Sequence, residues 1–300
     1  MQHRSRAFLV LGVAVLAMAW AAPLIRLTAA APLAVAAWRL VLSTLLLAPL
    51  AVLRPWHLEW ARLDRSDRRA ALLAGIALAL HFAAWITSLR LTSVAASSVL
   101  VSLSPVFSWL LSALLLHERP APRQAAGIVA AVIGATIIGL GDLAHGSSTS
   151  APQPLLGDAL ALAGALFGGI YFVVGRRLRA RLSLAAYVTP VYGIAAAVLL
   201  FWAAARGVAF GPFTTRDWAI FLALASGPML IGHTGFNYAL RFLPAYAVNV
   251  AALGEPAGAT LIAWLLPAVA EPPSLWAVSG GAVAVGGIAL ALAAPRGRTA

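Results

Sequence analysis

The sequence predicts an all-α polytopic membrane protein whose ten transmembrane helices form two inverted five-helix repeats. Of its 300 residues, 62% are hydrophobic and 10% are charged, and the mean hydropathy is +0.92. Such a chain has too few polar residues to cover the surface of a soluble protein. A helix needs about 20 apolar residues to cross the hydrocarbon core of a bilayer. The chain holds ten such runs, at 7–25, 32–53, 70–89, 93–116, 124–141, 155–175, 184–205, 217–239, 245–267 and 274–294.

The arginines predict the orientation of these spans. All basic residues except histidine are arginines, and the net charge is +12. With the N-terminus inside the cell, sixteen arginines fall in cytoplasmic segments, four fall outside, and Arg39 lies within a span. This excess places both termini in the cytoplasm and the protein in the cytoplasmic (inner) membrane. The positive charge therefore reflects topology, and we expect no nucleic-acid partner.

The first 23 residues imitate a secretory signal peptide, with basic residues followed by an apolar stretch and a candidate cleavage site at Ala17-Met18-Ala19. We expect this segment to remain as the first span, because its removal would break the internal repeat. The chain has no cysteine, which excludes disulfides, thiol catalysis and cysteine metal sites.

An internal repeat divides the chain. The polar, Gly/Ser/Pro-rich residues 142–154 form a predicted external linker between a first repeat, 1–141, and a second repeat, 155–300. Because each repeat holds five spans, the second enters the membrane from the opposite side, which predicts alternating access at a site between the two. An offset of 151 residues, rising to 153 between residues 105 and 118, pairs Trp20 with Tyr171, Arg26 with Arg177, Trp85 with Phe236, Arg90 with Arg241, Pro105 with Pro256, Gly127 with Gly280 and Gly134 with Gly287.

Several stretches resemble the drug/metabolite transporter superfamily, in its EamA branch of ten-span proteins. They are "HFAAWITSLR" at 81–90, "LSPVFSWLLSALLLHERP" at 103–120, "GRRLRARLS" at 175–183, "GHTGFNYALRFLP" at 232–244 and "LGEPAGATLIAWLL" at 253–266. The resemblance covers the whole chain and implies a central cavity lined mainly by spans 1, 3, 4, 6, 8 and 9, with spans 5 and 10 at the periphery. The sequence departs from the family pattern at 267–273.

Polar and aromatic residues inside the spans predict the substrate cavity. His81 and His233 each precede an aromatic residue by about one helical turn, which suits an amphipathic solute. A histidine that only packs in the core is an equally good interpretation of each. The predicted cavity residues are Trp20, His81, Trp85, Tyr171, His233, Phe236, Asn237, Asn249 and Glu255.

Two prolines and two charges complete the candidate residues. Pro105 and Pro256 occupy equivalent positions in the repeats and predict hinges. Glu255 lies deep in a span and is a candidate for binding a proton or a cationic substrate, or for a structural ion pair with Arg39. For Arg39 a structural role, such as binding carbonyl groups, is favoured over substrate binding.

These features predict a secondary transporter, working by alternating access in the direction of efflux, for small organic metabolites such as amino acids or drug-like amphiphiles. An uncoupled facilitator or flippase of the same fold stays open as an alternative. A membrane-embedded enzyme is less favoured, because the ionisable residues within the spans are scattered. We expect the small-molecule substrate and the lipid bilayer as partners and no cofactor or metal; a homodimer is left open.

Overall fold

A computed structural model describes residues 2–53, 56–92, 97, 100–118, 120–144, 153–255, 258, 262 and 275–293. All regular structure within these residues is helical. The helices are α1 Gln2–Met18, α2 Ala21–Arg26, α3 Pro32–Leu53, α4 Trp56–Ala61, α5 Arg65–Leu91, α6 Ser104–Leu115, α7 Pro122–Ala144, α8 Pro154–Arg179, α9 Leu184–Ala205, α10 Thr215–Leu224, α11 Thr234–Ala239, α12 Ala245–Ala252 and α13 Leu275–Ala293.

Six helical segments in the described part of the chain are long and apolar enough to cross a membrane. They are Ser5–Ile25, Pro32–Pro49, Arg65–Leu91, Pro154–Arg179, Leu184–Ala205 and Thr215–Ala239. Helices α6, α7, α12 and α13 coincide with parts of the four other predicted spans. The full set of ten spans stays a prediction.

The eighth predicted span is not a regular α-helix. Between α10 and α11, Ala225–His233 form a π-helical segment that contains Pro228. Proline supplies no N–H to the helical hydrogen-bond ladder, and π-helical turns are frequent at functional sites. The wider turn ends at His233, one of the predicted cavity residues. The segment was not foreseen, because apolar periodicity does not distinguish α- from π-helical turns.

The helices pack as two related groups. The first group contains α5, α6 and α8, and the second contains α1 and the segment Ala225–Ala239; α12 packs against α6 and α8 of the first group and against α1 of the second. An offset of 151 residues carries α8 onto the first span and α5 onto the eighth, so each group mixes the two halves of the chain. Helices α3 and α9 pack against each other and against both groups. This packing is compatible with the predicted inverted repeat, which itself stays a prediction.

Segments predicted to be cytoplasmic meet at one end of the helices. Arg177 donates to Asp67 at 2.9 Å, and Arg181 also binds Asp67. Arg176 donates to Glu118 at 2.9 Å. These contacts join the beginning of α5 to the end of α8, so α5 and α8 run in opposite directions.

Segments predicted to be external meet at the opposite end. Thr28 donates to Asp217 at 2.6 Å, and Thr92 donates to Asp158 at 2.7 Å. Arg90, near the end of α5, also donates to the carbonyl of Thr28 at 3.4 Å, so the first span ends close to the end of α5 and the beginning of α8. Because the first span and α8 are related by the internal offset, the related segments run in opposite directions.

Helices α7 and α13 form a separate pair in which backbone packs on backbone. A Cβ atom added at Gly127 would lie 2.5 Å from the backbone nitrogen of Ala291 and 2.7 Å from the carbonyl oxygen of Gly287. A Cβ atom at Gly134 would overlap the backbone nitrogen of Ala284 and lie 2.6 Å from the carbonyl oxygen of Gly280. Small residues allow this approach in the absence of a hydrophobic driving force within lipid.

We expect Gly134→Ala to destabilise the protein by about 1–3 kcal/mol, because the added methyl group meets backbone atoms that cannot move independently. The control is Gly286→Ala in α13, where a Cβ atom would have no neighbour within 4 Å. Alanine should stabilise that helix by up to about 1 kcal/mol. The measurement is the melting temperature in detergent, followed by size-exclusion chromatography. Equal shifts for the two variants would contradict the backbone contact.

Candidate functional site

Polar and aromatic side chains meet where the two helix groups face each other. The His81 ring from the first group lies 6.5 Å from the His233 ring of the second, measured between centroids. The Tyr171 ring of α8 lies 6.2 Å from the His233 ring, also measured between centroids. His81 lies ten residues before the end of α5, which is about 15 Å along the helix. The site is therefore deep within the spans.

Asn237 connects the two groups through hydrogen bonds. Its Nδ2 donates to the Tyr171 hydroxyl at 2.5 Å, to the His233 carbonyl at 2.8 Å and to the Tyr192 hydroxyl at 3.4 Å. The His233 carbonyl can only accept a hydrogen bond, which fixes the orientation of the amide. Asn237 is fully buried, and its Oδ1 has no hydrogen-bond partner among the described residues. A buried acceptor without a partner is rare and indicates a ligand-binding role.

The two histidines differ in their hydrogen bonds. His81 Nδ1 lies 2.8 Å from the carbonyl oxygen of Gly164. His233 is buried among the rings of Phe82, at 5.1 Å, and Phe236, at 6.2 Å. Neither ring nitrogen of His233 has a hydrogen-bond partner in the described part of the chain. His81 is therefore anchored, whereas His233 offers both nitrogens to a ligand.

Arg39 approaches this cluster from α3. Its guanidinium carbon lies 4.2 Å from the centroid of Phe82, and its Nη2 lies 3.9 Å from the sulfur of Met229. The side chain is fully buried, and its Nε and Nη1 find no hydrogen-bond partner within the described residues. The carbonyl partners expected for a structural arginine are therefore not provided there.

Asn249 lies beside the cluster, between the fourth and ninth spans. Its Nδ2 donates to the hydroxyl oxygens of Ser104, at 2.8 Å, and Ser108, at 2.7 Å. Glu255 follows α12 and is half-buried. Glu255 and Arg39 form no ion pair within 4 Å among the described groups, so the predicted structural pair is not seen as a direct contact.

The structure brings together most of the predicted cavity residues. His81, Trp85, Tyr171, His233, Phe236 and Asn237 form one network of ring contacts and hydrogen bonds. Trp20 lies in the turn between α1 and α2 and is 41% exposed. We predicted Trp20 as a cavity residue, and it lies at an exposed position beside a helix break.

Of the two predicted hinge prolines, the structure describes Pro105. Pro105 lies in the first turn of α6, which begins at Ser104 after a turn at 102–103. The proline thus occupies a position where no N–H is required, rather than the middle of a continuous kinked helix. Pro256 lies outside the described residues. The role of both prolines as hinges stays a prediction.

Sequence reasoning missed Phe82, Tyr192 and Met229. Phe82 supports the rings of His81 and His233, at 5.1 Å from each. Tyr192 donates to or accepts from Thr234 at 3.1 Å and lies within reach of Asn237. A tyrosine two residues after a proline, in the middle of the seventh span, was the available signal for Tyr192. Phe82 and Met229 carry no such signal, because apolar residues in a span are usually packing residues.

Two arginines hold the helix groups together at the predicted cytoplasmic end. Arg179 donates to the carbonyl of Asn237 at 3.0 Å and also binds the carbonyl of Leu182. Arg176 donates to the carbonyl of Leu240 at 2.8 Å. The repeat-related positions are Thr28 and Ile25, which carry no guanidinium. At the predicted external end, Arg90 donates to the carbonyl of Thr28 at 3.4 Å.

The geometry and the repeat agree with the comparison against protein families. The model of the EamA-like transporter family matches the chain twice, at residues 5–140 and 155–293. The chain belongs to the EamA-like transporter family. It is therefore a multi-pass membrane protein of the transporter class, and the predicted resemblance to the drug/metabolite transporter superfamily is confirmed.

Individual EamA-like relatives agree with this assignment. A probable terminal-alkyne amino-acid exporter of Streptantibioticus cattleyicolor is 29% identical over 197 residues, which span 65% of this chain and 62% of the exporter. An uncharacterized transporter of Bacillus subtilis, YdfC, is 27% identical over 260 residues, or 84% of this chain and 79% of that protein. A solved crystal structure with 23% identity superposes with a TM-score of 0.78 over 96% of this chain and 97% of its own. The last of these shows the same fold.

Proposed function

We propose that this EamA-like protein is a secondary transporter that exports small organic metabolites, amino acids or drug-like amphiphiles, across the cytoplasmic membrane. The observation that carries the proposal is the set of buried polar atoms without partners in the described residues, at the interface of the two helix groups. Those atoms are Arg39 Nε and Nη1, His233 Nδ1 and Nε2, Asn237 Oδ1 and Trp85 Nε1. Leaving such groups unpaired costs about 1–3 kcal/mol each, which a polar solute would recover.

The arrangement of the helices supports alternating access. The related groups face each other, and the related spans run in opposite directions, as expected for two inverted five-helix repeats. Arg176 and Arg179 join the two groups at the predicted cytoplasmic end, at 2.8 Å and 3.0 Å, and within the described residues Arg90 joins them at the predicted external end at 3.4 Å. In the proposed cycle, breaking the contacts of Arg176 and Arg179 opens the site toward the cytoplasm.

The name of the Streptantibioticus relative supports export of amino acids as the first class to test. The lining favours solutes that combine a polar group with an apolar body. Phe82, Trp85 and Phe236 supply aromatic surface, while Asn237 and His233 supply hydrogen-bonding atoms. This division between polar and apolar contacts is typical of small-molecule sites.

Transport by the purified protein tests the proposal. We load proteoliposomes and protein-free liposomes with the same mixture of neutral amino acids and amphiphilic drugs. We expect the proteoliposomes to release at least one of these solutes faster than the protein-free liposomes do. Saturation, and stimulation by the same solute on the opposite side, would indicate alternating access rather than a facilitated leak. Protein that reconstitutes in folded form but releases none of these solutes would overturn the proposed function.

A further inference from the structure

We infer that Arg39 binds a carboxylate of the transported solute, so that the site selects amino acids and other monocarboxylates with an apolar body. This inference rests on the proposed function, because it names the chemical group that the same site recognises.

The contrast between two buried arginines carries the argument. Arg179 is almost fully buried, and its guanidinium binds the carbonyls of Asn237 and Leu182. Arg39 is buried to the same degree but has no carbonyl or carboxylate partner among the described residues. Burial of an unpaired cation costs several kcal/mol in general, so a structural arginine is normally satisfied as Arg179 is. A purely structural role would predict acceptors around the Arg39 guanidinium. Among the described residues, its Nε and Nη1 have none.

The described neighbours of Arg39 contact its guanidinium without providing an oxygen acceptor for its N–H groups. The face of Phe82 lies 4.2 Å from the guanidinium carbon, which fixes the plane of the group through a cation–π contact. The sulfur of Met229 is a weak acceptor and lies at 3.9 Å from Nη2. The N–H groups of Nε and Nη1 have no hydrogen-bond partner in the part of the chain that the structure describes. A planar guanidinium with free N–H groups matches the two oxygens of a carboxylate better than any other common solute group.

Charge decides between the solute classes. A cationic amphiphile would bring a second positive charge beside a buried arginine, which is unfavourable. A dianion such as a phosphate ester would leave one negative charge uncompensated. One carboxylate neutralises Arg39, so monocarboxylates, among them the neutral amino acids, fit this balance.

The apolar body of the solute has a defined place. Phe82 and Phe236 both contact the ring of His233, and Trp85 stacks with His81 at 6.3 Å. Phe82 also lies against the Arg39 guanidinium at 4.2 Å, so the aromatic surface begins beside Arg39. A carboxylate held at Arg39 would therefore direct an apolar side chain against aromatic surface.

Competition between acids and their amides tests the inference. Once a transported solute is known, L-phenylalanine and L-leucine are compared with L-phenylalaninamide and L-leucinamide as competitors of its transport in proteoliposomes. We expect each acid to compete about tenfold better than its amide or more, because the amide cannot form the charged pair. In Arg39→Gln the preference should fall to within about twofold, and Arg39→Lys should keep part of it. Loss of folding alone would lower all transport without changing this ratio.

The matched control is Arg90→Gln, which removes an exposed arginine at the external end and should preserve the preference. If Arg39→Gln does not fold, the ratio in the wild-type protein and in Arg39→Lys still decides the question. Equal competition by acids and amides in the wild type, or an unchanged ratio in Arg39→Gln, would overturn the inference. Transport of solutes without a carboxylate would then leave the proposed function standing, whereas absence of all transport would remove both.

Discussion

Arg179→Gln should open the cytoplasmic end of the protein and reduce transport at least about tenfold. Arg179 donates to the carbonyl of Asn237 at 3.0 Å and thereby joins α8 to α11, which belong to different helix groups. A hydrogen bond from a charged group contributes about 1.5–3 kcal/mol, and 1.4 kcal/mol changes an equilibrium about tenfold. Loss of the guanidinium should therefore shift the protein strongly toward the inward-open state.

Accessibility of a single cysteine measures this shift. The chain has no cysteine, so Trp85→Cys adds one reporter in the cluster. In inside-out vesicles, modification by a membrane-impermeant thiol reagent should be about tenfold faster with Arg179→Gln than without it. The control is Arg177→Gln, the neighbouring residue, which is 45% exposed and binds Asp67 within one helix group. An unchanged rate with Arg179→Gln, or an equal increase with Arg177→Gln, would contradict the role of Arg179.

Asn237→Leu should abolish most transport while preserving the fold. Leucine has the same branched outline, although it is larger, and it removes the donor that bonds to Tyr171 and Tyr192 and the acceptor Oδ1. A solute bound through this amide would lose its partner at a buried position, which costs about 1–3 kcal/mol and lowers transport by about tenfold or more. Tyr171→Phe, which removes only one hydroxyl, should have a smaller effect.

The measurement for Asn237→Leu is the initial rate of solute release from proteoliposomes at equal amounts of folded protein. The control is Tyr238→Phe, one residue further along α11, where the ring contacts Phe242 at 5.2 Å outside the cluster. That variant should transport like the wild type. Transport by Asn237→Leu at the wild-type rate would show that the cluster does not bind the solute.

Polar residues in the middle of apolar spans could be recognised from the sequence. His81, His233 and Asn237 were found in this way, since burial of polar groups in a membrane is costly and therefore carries information. A spacing of about one helical turn from the histidines then pointed to Trp85 and Phe236. These signals lie within a single span, so they can be read without the tertiary structure.

Other features depend on tertiary structure and could not be predicted. Arg39 lies about 10 Å along its span, from which a long side chain can either reach the interface or turn inward. Its burial under Phe82 follows from packing between α3 and the two helix groups. Trp20 was misplaced because the first span breaks after Met18, and the π-helical segment before His233 left no trace in the apolar pattern. Gly134, in contrast, could be singled out from the sequence, because the repeat offset pairs it with Gly287.

Distances between pairs of spin labels test most directly whether the two ends of the protein open alternately. Ala180 and Arg241 are exposed residues at the cytoplasmic ends of the two helix groups, and Ala29 and Arg90 are their repeat-related counterparts at the external end. Cysteines at each pair can be labelled without removing any native thiol. On introducing Arg179→Gln, we predict that the distance between residues 180 and 241 increases while the distance between residues 29 and 90 decreases. Distances that stay unchanged, or that change in the same direction at both ends, would contradict alternating access.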